Sequence, residues 1–241
     1  SRFLYNDAAV SILEKCVVVG VAGKLPLGVR HRQQPPQAVI GITSAAAIAI
    51  NGLQQSSGLV VDMARDRAAR RQAVACGVGG GKILDTAKAV AYYLESPVII
   101  CPTIASTDAP CSALSVLYTD DGQFDKYLFL KANPNIVLMD TTVIAASPVR
   151  LTVSGMGDAL ATYFEAQATH DADGGTCAGG KGSMAGLALA KLCYETLMAD
   201  GVKAKVALEK GALTPAVEHI IEANTLQIGR ASCRERGCLY V

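Results

Sequence analysis

Residues 77–108 constrain the fold more than any other stretch of the chain. Gly77-Val78-Gly79-Gly80-Gly81-Lys82 lies between a strand-like and a helix-like segment. Ile83, Leu84, Ala87, Val90, Ala91 and Leu94 then recur at helical spacing. Val98-Ile99-Ile100-Cys101 is a continuous apolar run, as a strand buried on both faces requires. Strand, glycine loop, helix and strand in this order form a βαβ unit, which predicts a parallel sheet and a doubly wound, Rossmann-like α/β architecture. Glycines at such a turn let backbone N–H groups approach a phosphate, since no Cβ intervenes. Lys82 in the first helical turn opposes the helix dipole, a placement that makes sense beside an anion. The glycines taken alone fit a tight strand–helix turn with a solvated lysine equally well.

The remaining elements follow the same logic. Residues 8–13 read as a short helix and Cys16-Val17-Val18-Val19-Gly20 as a buried parallel strand. Residues 115–119 and 124–129 form two strands of a hairpin around Asp120-Asp121-Gly122. Ile136-Val137-Leu138-Met139 is a further strand, and Asp140 is placed to cap a short helix. Ser147-Pro148 marks a boundary, with Pro suited to the first helical position. Beyond it the strand signals stop, and residues 154–169, 183–198 and 214–224 show helical periodicity. The chain therefore divides into an N-terminal α/β domain (1–146) and an α-helical domain (147–227). Residues 228–241, with Ile228-Gly229-Arg230-Ala231-Ser232-Cys233-Arg234-Glu235-Arg236, lack periodicity and read as a non-native tail. Residues 21–71 are poorly legible, and the four arginines within 65–71 read as a solvated helix face.

Composition narrows the partners. At 241 residues the chain is long enough for one large or two modest domains, and a formal net charge of +1 points to no nucleic-acid partner. No apolar run is long enough for a membrane span, and no signal-peptide pattern opens the chain, so a cytoplasmic protein is expected. The eight cysteines include no C-x2-C pair and read as reduced, mostly buried thiols.

Three motifs carry a family resemblance. Gly79-Gly80-Gly81-Lys82-Ile83-Leu84-Asp85-Thr86-Ala87-Lys88, the run from Pro102 through Asp108-Ala109-Pro110-Cys111-Ser112 to Tyr118, and Gly155-Met156-Gly157-Asp158-Ala159-Leu160 resemble the polyol-oxidising members of the iron-containing (group III) alcohol dehydrogenase superfamily. The match runs nearly continuously from about Cys76 to about Asn224. It departs at Val21, where the family commonly carries an aspartate for the adenosine ribose.

The resemblance implies oxidation of a small polyol, glycerol, with hydride transfer to NAD and a divalent metal, Zn2+ or Fe2+, that polarises the alcohol oxygen. It places Gly80, Gly81 and Lys82 at the cofactor phosphates with Asp85 nearby, and Thr103, Ser106, Ser112, Leu114 and Tyr118 along the cofactor groove. Asp108 is expected to accept the polyol hydroxyls, since a carboxylate suits two adjacent O–H donors. Read without the family, Ser106 and Asp108 would only cap a turn, and Asp158 would stabilise a helix N-terminus.

Within the resemblance Asp158 is a metal ligand, and the family's two further ligands are histidines that lie beyond this chain. His31, His170 and His219 do not match them, so the metal site is expected to be incomplete and the chain to be a C-terminally truncated fragment of a homo-oligomer, inactive alone. An alcohol-phosphate dehydrogenase of the same superfamily and a non-catalytic nucleotide-binding remnant are the alternatives.

Overall fold

The computed structural model describes residues 16–20, 48–49, 74–119, 122–176 and 179–229. The sequence readings at 8–13, Val21, 65–71, Asp120-Asp121, His31 and residues 230–241 lie outside these residues. Five strands form one all-parallel sheet: β1 (Cys16–Gly20), β2 (Ile48–Ala49), β3 (Val74–Gly79), β4 (Val98–Pro102) and β7 (Ile136–Val137). Their spatial order is β2-β1-β3-β4-β7, so the winding reverses between β1 and β3, as in doubly wound sheets. The register of the central pair runs from Ala75 opposite Val98 to Gly79 opposite Pro102.

Helix α1 (Gly81–Leu94) connects β3 to β4 and completes the βαβ unit. Ile83, Leu84, Ala87, Val90 and Ala91 are buried, and they share a core cluster with Ala75, Ile100 and Leu117. The hairpin forms from β5 (Leu114–Tyr118) and β6 (Phe124–Phe129), pairing Leu114 with Phe129. Its β5 strand lies over α1, because Leu117 is buried in that same cluster.

No strand follows β7 among the described residues. Asp140 caps α2 (Thr141–Ala145), its Oδ1 accepting from the Thr142 and Val143 N–H groups at 2.9 and 3.2 Å. The long helix α3 (Val149–Asp171) starts earlier than its periodicity predicts, and Pro148 takes the N-cap position and not the first helical one. Helix α4 (Met184–Glu209) also runs past its predicted end, with Ser183 Oγ accepting from the Gly186 N–H. Helix α5 (Pro215–Glu222) has Thr214 at its N-cap and Pro215 in its first turn. It passes directly into a π-helical turn, Ala223–Gln227. Ile228 and Gly229, assigned by sequence to the tail, continue this helix: Ile228 is fully buried in the helical core with Ala159, Leu208 and Ile220.

Among the described residues Cys76, Cys111 and Cys193 are buried and Cys101 is half-buried. No described helix is long and apolar enough to cross a membrane.

The helix that presents the glycine loop carries a correctable flaw. Glu95, the exposed C-cap of α1, is held in the left-handed region at φ 50°, ψ 38°. That region disfavours every residue with a Cβ and favours glycine. Glu95→Gly is expected to raise stability by roughly 0.5–1 kcal/mol, the αL cost less the extra chain entropy of glycine. Urea unfolding checks the sign, and a destabilised variant would contradict it.

Candidate functional site

β3 and β4 are parallel neighbours, so their carboxyl ends release the chain on the same edge of the sheet. From β3 the chain enters Gly80 and α1, and from β4 it enters the loop that leads to β5. A cleft of about 420 Å³ opens there, lined by Gly81, Lys82 and Asp85 of α1, by Ser106, Thr107, Asp108, Ala109 and Ser112 of the loop, by Leu114, Val116 and Tyr118 of β5, and by Ser154 and Asp158 of α3. A crevice outside the carboxyl ends of the strands is where open α/β sheets bind ligands.

Of the residues that sequence reasoning singles out, the structure brings Gly81, Lys82, Asp85, Ser106, Asp108, Ser112, Leu114, Tyr118 and Asp158 to this cleft. Gly80 and Thr103 do not line it. Gly80 is the N-cap of α1, and the Thr103 N–H donates to the Gly79 carbonyl at 2.9 Å. A Cβ on Gly80 would stand 2.9 Å from Ile104 Cδ1. That atom is the movable end of a side chain, so the contact alone does not demand a glycine. Thr107, Ala109, Val116 and Ser154 join the lining without having been singled out. Thr107 and Ala109 flank Asp108, Val116 was recoverable by strand alternation between Leu114 and Tyr118, and Ser154 by its position one helical turn before Asp158.

The N-terminus of α1 has no side-chain cap and no acidic residue in its first turn. Lys82 is exposed, and its Nζ lies 5.3 Å from the centroid of the Tyr118 ring, within cation–π range. Loop geometry is held by local hydrogen bonds. The Ala109 N–H donates to Thr107 Oγ1 at 3.2 Å, and the Cys111 and Ser112 N–H groups donate to the Asp108 carbonyl at 3.0 Å. The backbone of Asp108 thus closes a turn while its side chain lines the cleft. Asp158 sits well inside α3, which begins at Val149, so stabilising a helix N-terminus is not its role.

Sequence reasoning gave no role to Lys88. This ammonium is 1% exposed. It lies 2.9 Å from Asp85 Oδ1 and donates to the carbonyls of Ala109 (2.9 Å), Ser112 (3.3 Å) and Leu114, and to Ser112 Oγ (3.2 Å). Asp85 in turn accepts the Val116 N–H at 3.3 Å. The pair ties α1 to the loop and to β5. Its one legible signal was an Asp and a Lys three positions apart inside an apolar helix.

Burial pushes the Asp85 carboxyl above its ordinary value of 3.8, against the pull of the Lys88 ammonium and the Val116 N–H, and the charge of Asp108 adds to the push.

The residues present do not make a complete metal site. Asp158 is a sound hard ligand, but a catalytic metal takes about three protein ligands. Among the described residues no group of three His, Cys, Asp or Glu could hold a metal. His219 Nδ1 instead lies 2.7 Å from Asp200 Oδ2 in an exposed pair, and His170 is exposed near the end of α3.

Two predictions test the buried pair. Lys88→Met strands the Asp85 charge and is expected to cost about 3–5 kcal/mol in urea unfolding. The second uses pH. A carboxyl whose value is raised by folding binds more protons in the folded state, so its stabilisation is present below 3.8 and is lost as pH rises through the folded value. The stability of the wild type relative to Asp85→Asn should therefore fall with rising pH, by at most about 1.4 kcal/mol per unit. A difference that grows with pH would mean that Lys88 outweighs burial.

Comparison with known proteins agrees with this geometry. Residues 54–141 match the family described as iron-containing alcohol dehydrogenase. The glycerol dehydrogenase of Escherichia coli O6:H1 is 59% identical over 153 residues, covering 64% of this chain and 42% of the relative. That of Pseudomonas putida is 50% identical over 182 residues, covering 76% and 50%. The crystal structure of a probable glycerol dehydrogenase from Sinorhizobium meliloti superimposes with a TM-score of 0.74 at 42% identity, covering 81% of this chain and 55% of that one. This chain spans about half the length of the relatives it matches. Its fold, a parallel sheet followed by a helical region, is shared with the part of that structure it covers.

Proposed function

We propose that this chain forms the NAD-binding and polyol-binding part of a glycerol dehydrogenase, with 1–146 supplying the cofactor domain and 147–229 the helical one. The observation that carries the reading is the meeting of three elements at one cleft: the uncapped N-terminus of α1, the hydroxyl-bearing loop after β4, and the carboxylate of Asp158 on α3. The residues fit NAD. The Gly81 and Lys82 end of α1 offers a positive dipole end and an ammonium to the pyrophosphate. Ser106, Thr107 and Ser112 offer hydroxyls, and Leu114, Val116 and Tyr118 offer an apolar wall, which suits a cofactor held by a few polar contacts in a mostly apolar groove. When bound, NAD supplies the hydride acceptor.

Asp108 would accept the polyol's adjacent hydroxyls and so hold the substrate within the cleft. Asp158 supplies one ligand for the metal that the family implies. Carboxylates occur among the ligands of both zinc and iron sites, and no step is assigned to the metal on one ligand. Mostly buried cysteines that behave as small apolar residues fit a reducing cytoplasm, and the protein is read as a homo-oligomer.

Electrostatics favour a neutral polyol over an alcohol phosphate. Asp85, Asp108 and Asp158 face the cleft, and Lys82 is the one basic residue among the described residues that line it. The cofactor pyrophosphate takes that ammonium, so a second phosphate would lie among three carboxyl groups, which disfavour it.

Titration of the protein with NAD, followed by fluorescence, tests the cofactor assignment. Lys82→Ala removes one charged contact and is expected to weaken NAD binding about 10-fold, with a smaller salt dependence than the wild type. Unchanged affinity in Lys82→Ala, or no NAD binding by the wild type, would overturn the assignment.

A further inference from the structure

One buried side chain joins the two walls of the cleft. Asn224 is fully buried in the π turn, and its Nδ2 donates to the Ala105 carbonyl at 3.0 Å and to the Thr152 carbonyl at 2.9 Å. Ala105 adjoins Ser106 in the loop that carries Asp108, and Thr152 shares α3 with Ser154 and Asp158. Two facing carbonyls fix the orientation of the amide, because only its NH2 end donates. The Oδ1 end has no hydrogen-bond partner. An unpaired buried oxygen is costly, but an apolar residue here would leave the two carbonyls without this donor.

Gly155 forms the other half of the joint. A Cβ there would stand 2.2 Å from the Ala105 carbonyl oxygen and 2.4 Å from Asn224 Nδ2. Loop and helix therefore meet backbone to backbone, with the amide wedged beside the contact.

The π turn makes the arrangement possible. Ala223, Asn224 and Thr225 are consecutive, and all three are fully buried. An α-helix rotates successive side chains by about 100°, so a run of three inward residues is hard to place on a surface helix. Short π segments recur where function demands such a departure.

We propose that Asn224 is a positioning residue that, together with Gly155, sets the separation of the Asp108 loop from the Asp158 helix, and with it the width of the cleft. The functional part of this inference rests on the reading of the cleft as the NAD and polyol site. Asn224 does not line the cleft. It acts through the carbonyls of Ala105 and Thr152.

The test compares the wild type, Asn224→Ala, Asn224→Asp and a control, Leu187→Ala, which trims the separate cluster around Ala166 and Ala190. Two quantities are read: hydrogen–deuterium exchange at the Ala109, Cys111 and Ser112 amides, which are bonded within the loop, and NAD affinity by fluorescence. Asn224→Ala should speed exchange of these amides about 10-fold beyond the control and weaken NAD binding by a similar factor. Asn224→Asp keeps the shape but turns an acceptor toward two carbonyls, so it should shift both readings the same way, and it carries the test if the alanine variant does not fold.

Loop exchange no faster than in Leu187→Ala, or control-like NAD affinity despite a loosened loop, overturns the proposal. Faster loop exchange in a protein whose wild type binds no NAD supports the joint and overturns the cofactor assignment instead.

Discussion

The arrangement of the cleft depends on one ammonium out of contact with water. Lys88 is nearly inaccessible, and an unpaired charge there would be prohibitive. It is tolerable because Asp85 neutralises it and the loop from Ala109 to Leu114 turns carbonyls toward it. The dependence runs both ways. The ammonium needs those carbonyls, and through them it ties the loop to α1. Such pairs add little to net stability against an apolar replacement, yet breaking one is costly because it leaves a buried charge unpaired. Selecting one loop conformation is what a binding site requires of its scaffold.

A second tie fixes the same loop from the opposite side. Ala105 is buried in the helical core cluster, and its carbonyl meets Asn224. The loop after β4 is thus held to the sheet layer through Lys88 and to the helical layer through Asn224. Gly229 adds a third contact, since a Cβ there would fall 3.1 Å from the Asp108 carbonyl oxygen and 2.6 Å from Cys111 Cβ. A connection between two elements is ordinarily the most variable part of a fold. This one is anchored on both sides, in keeping with a loop that presents ligand-facing hydroxyls and a carboxylate.

Periodicity made much of the fold legible. The βαβ unit, the hairpin and the Asp140 cap follow from local patterns, because each depends on residues a few positions apart. The start of α3 was misplaced because Val149 to Val153 carry no clean apolar stripe; their helicity is set by the chain leaving Pro148. The π turn was invisible, since nothing local distinguishes Ala223–Gln227 from an α-helical continuation. Within the candidate site, the motif residues of the loop and Asp158 were legible through their resemblance to a family. Lys88 and Asn224 were not. The carbonyls that Lys88 meets lie 21 to 26 positions away, and those of Asn224 lie 72 and 119 away. A charged residue on a helix looks solvated, and an asparagine near a helix end looks like a cap, until the tertiary partner is known.

The hairpin has a consequence of a different kind. Along β5 the side chains alternate: Ser115 and Leu117 are buried against α1, while Leu114, Val116 and Tyr118 form a wall of the cleft. The pairing with β6 is irregular at its end, where Leu117 faces Lys126 but Tyr118 faces Phe124, leaving Asp125 as an extra residue on the outer strand. Such an insertion bends its strand and increases the local twist. Length changes in the outer strand are therefore not neutral surface events. Because strand faces alternate with a period of two, a shift of β5 by one position would exchange the core set for the cleft set. The irregularity on the solvent side thus serves as a vernier for the wall against which a cofactor would lie.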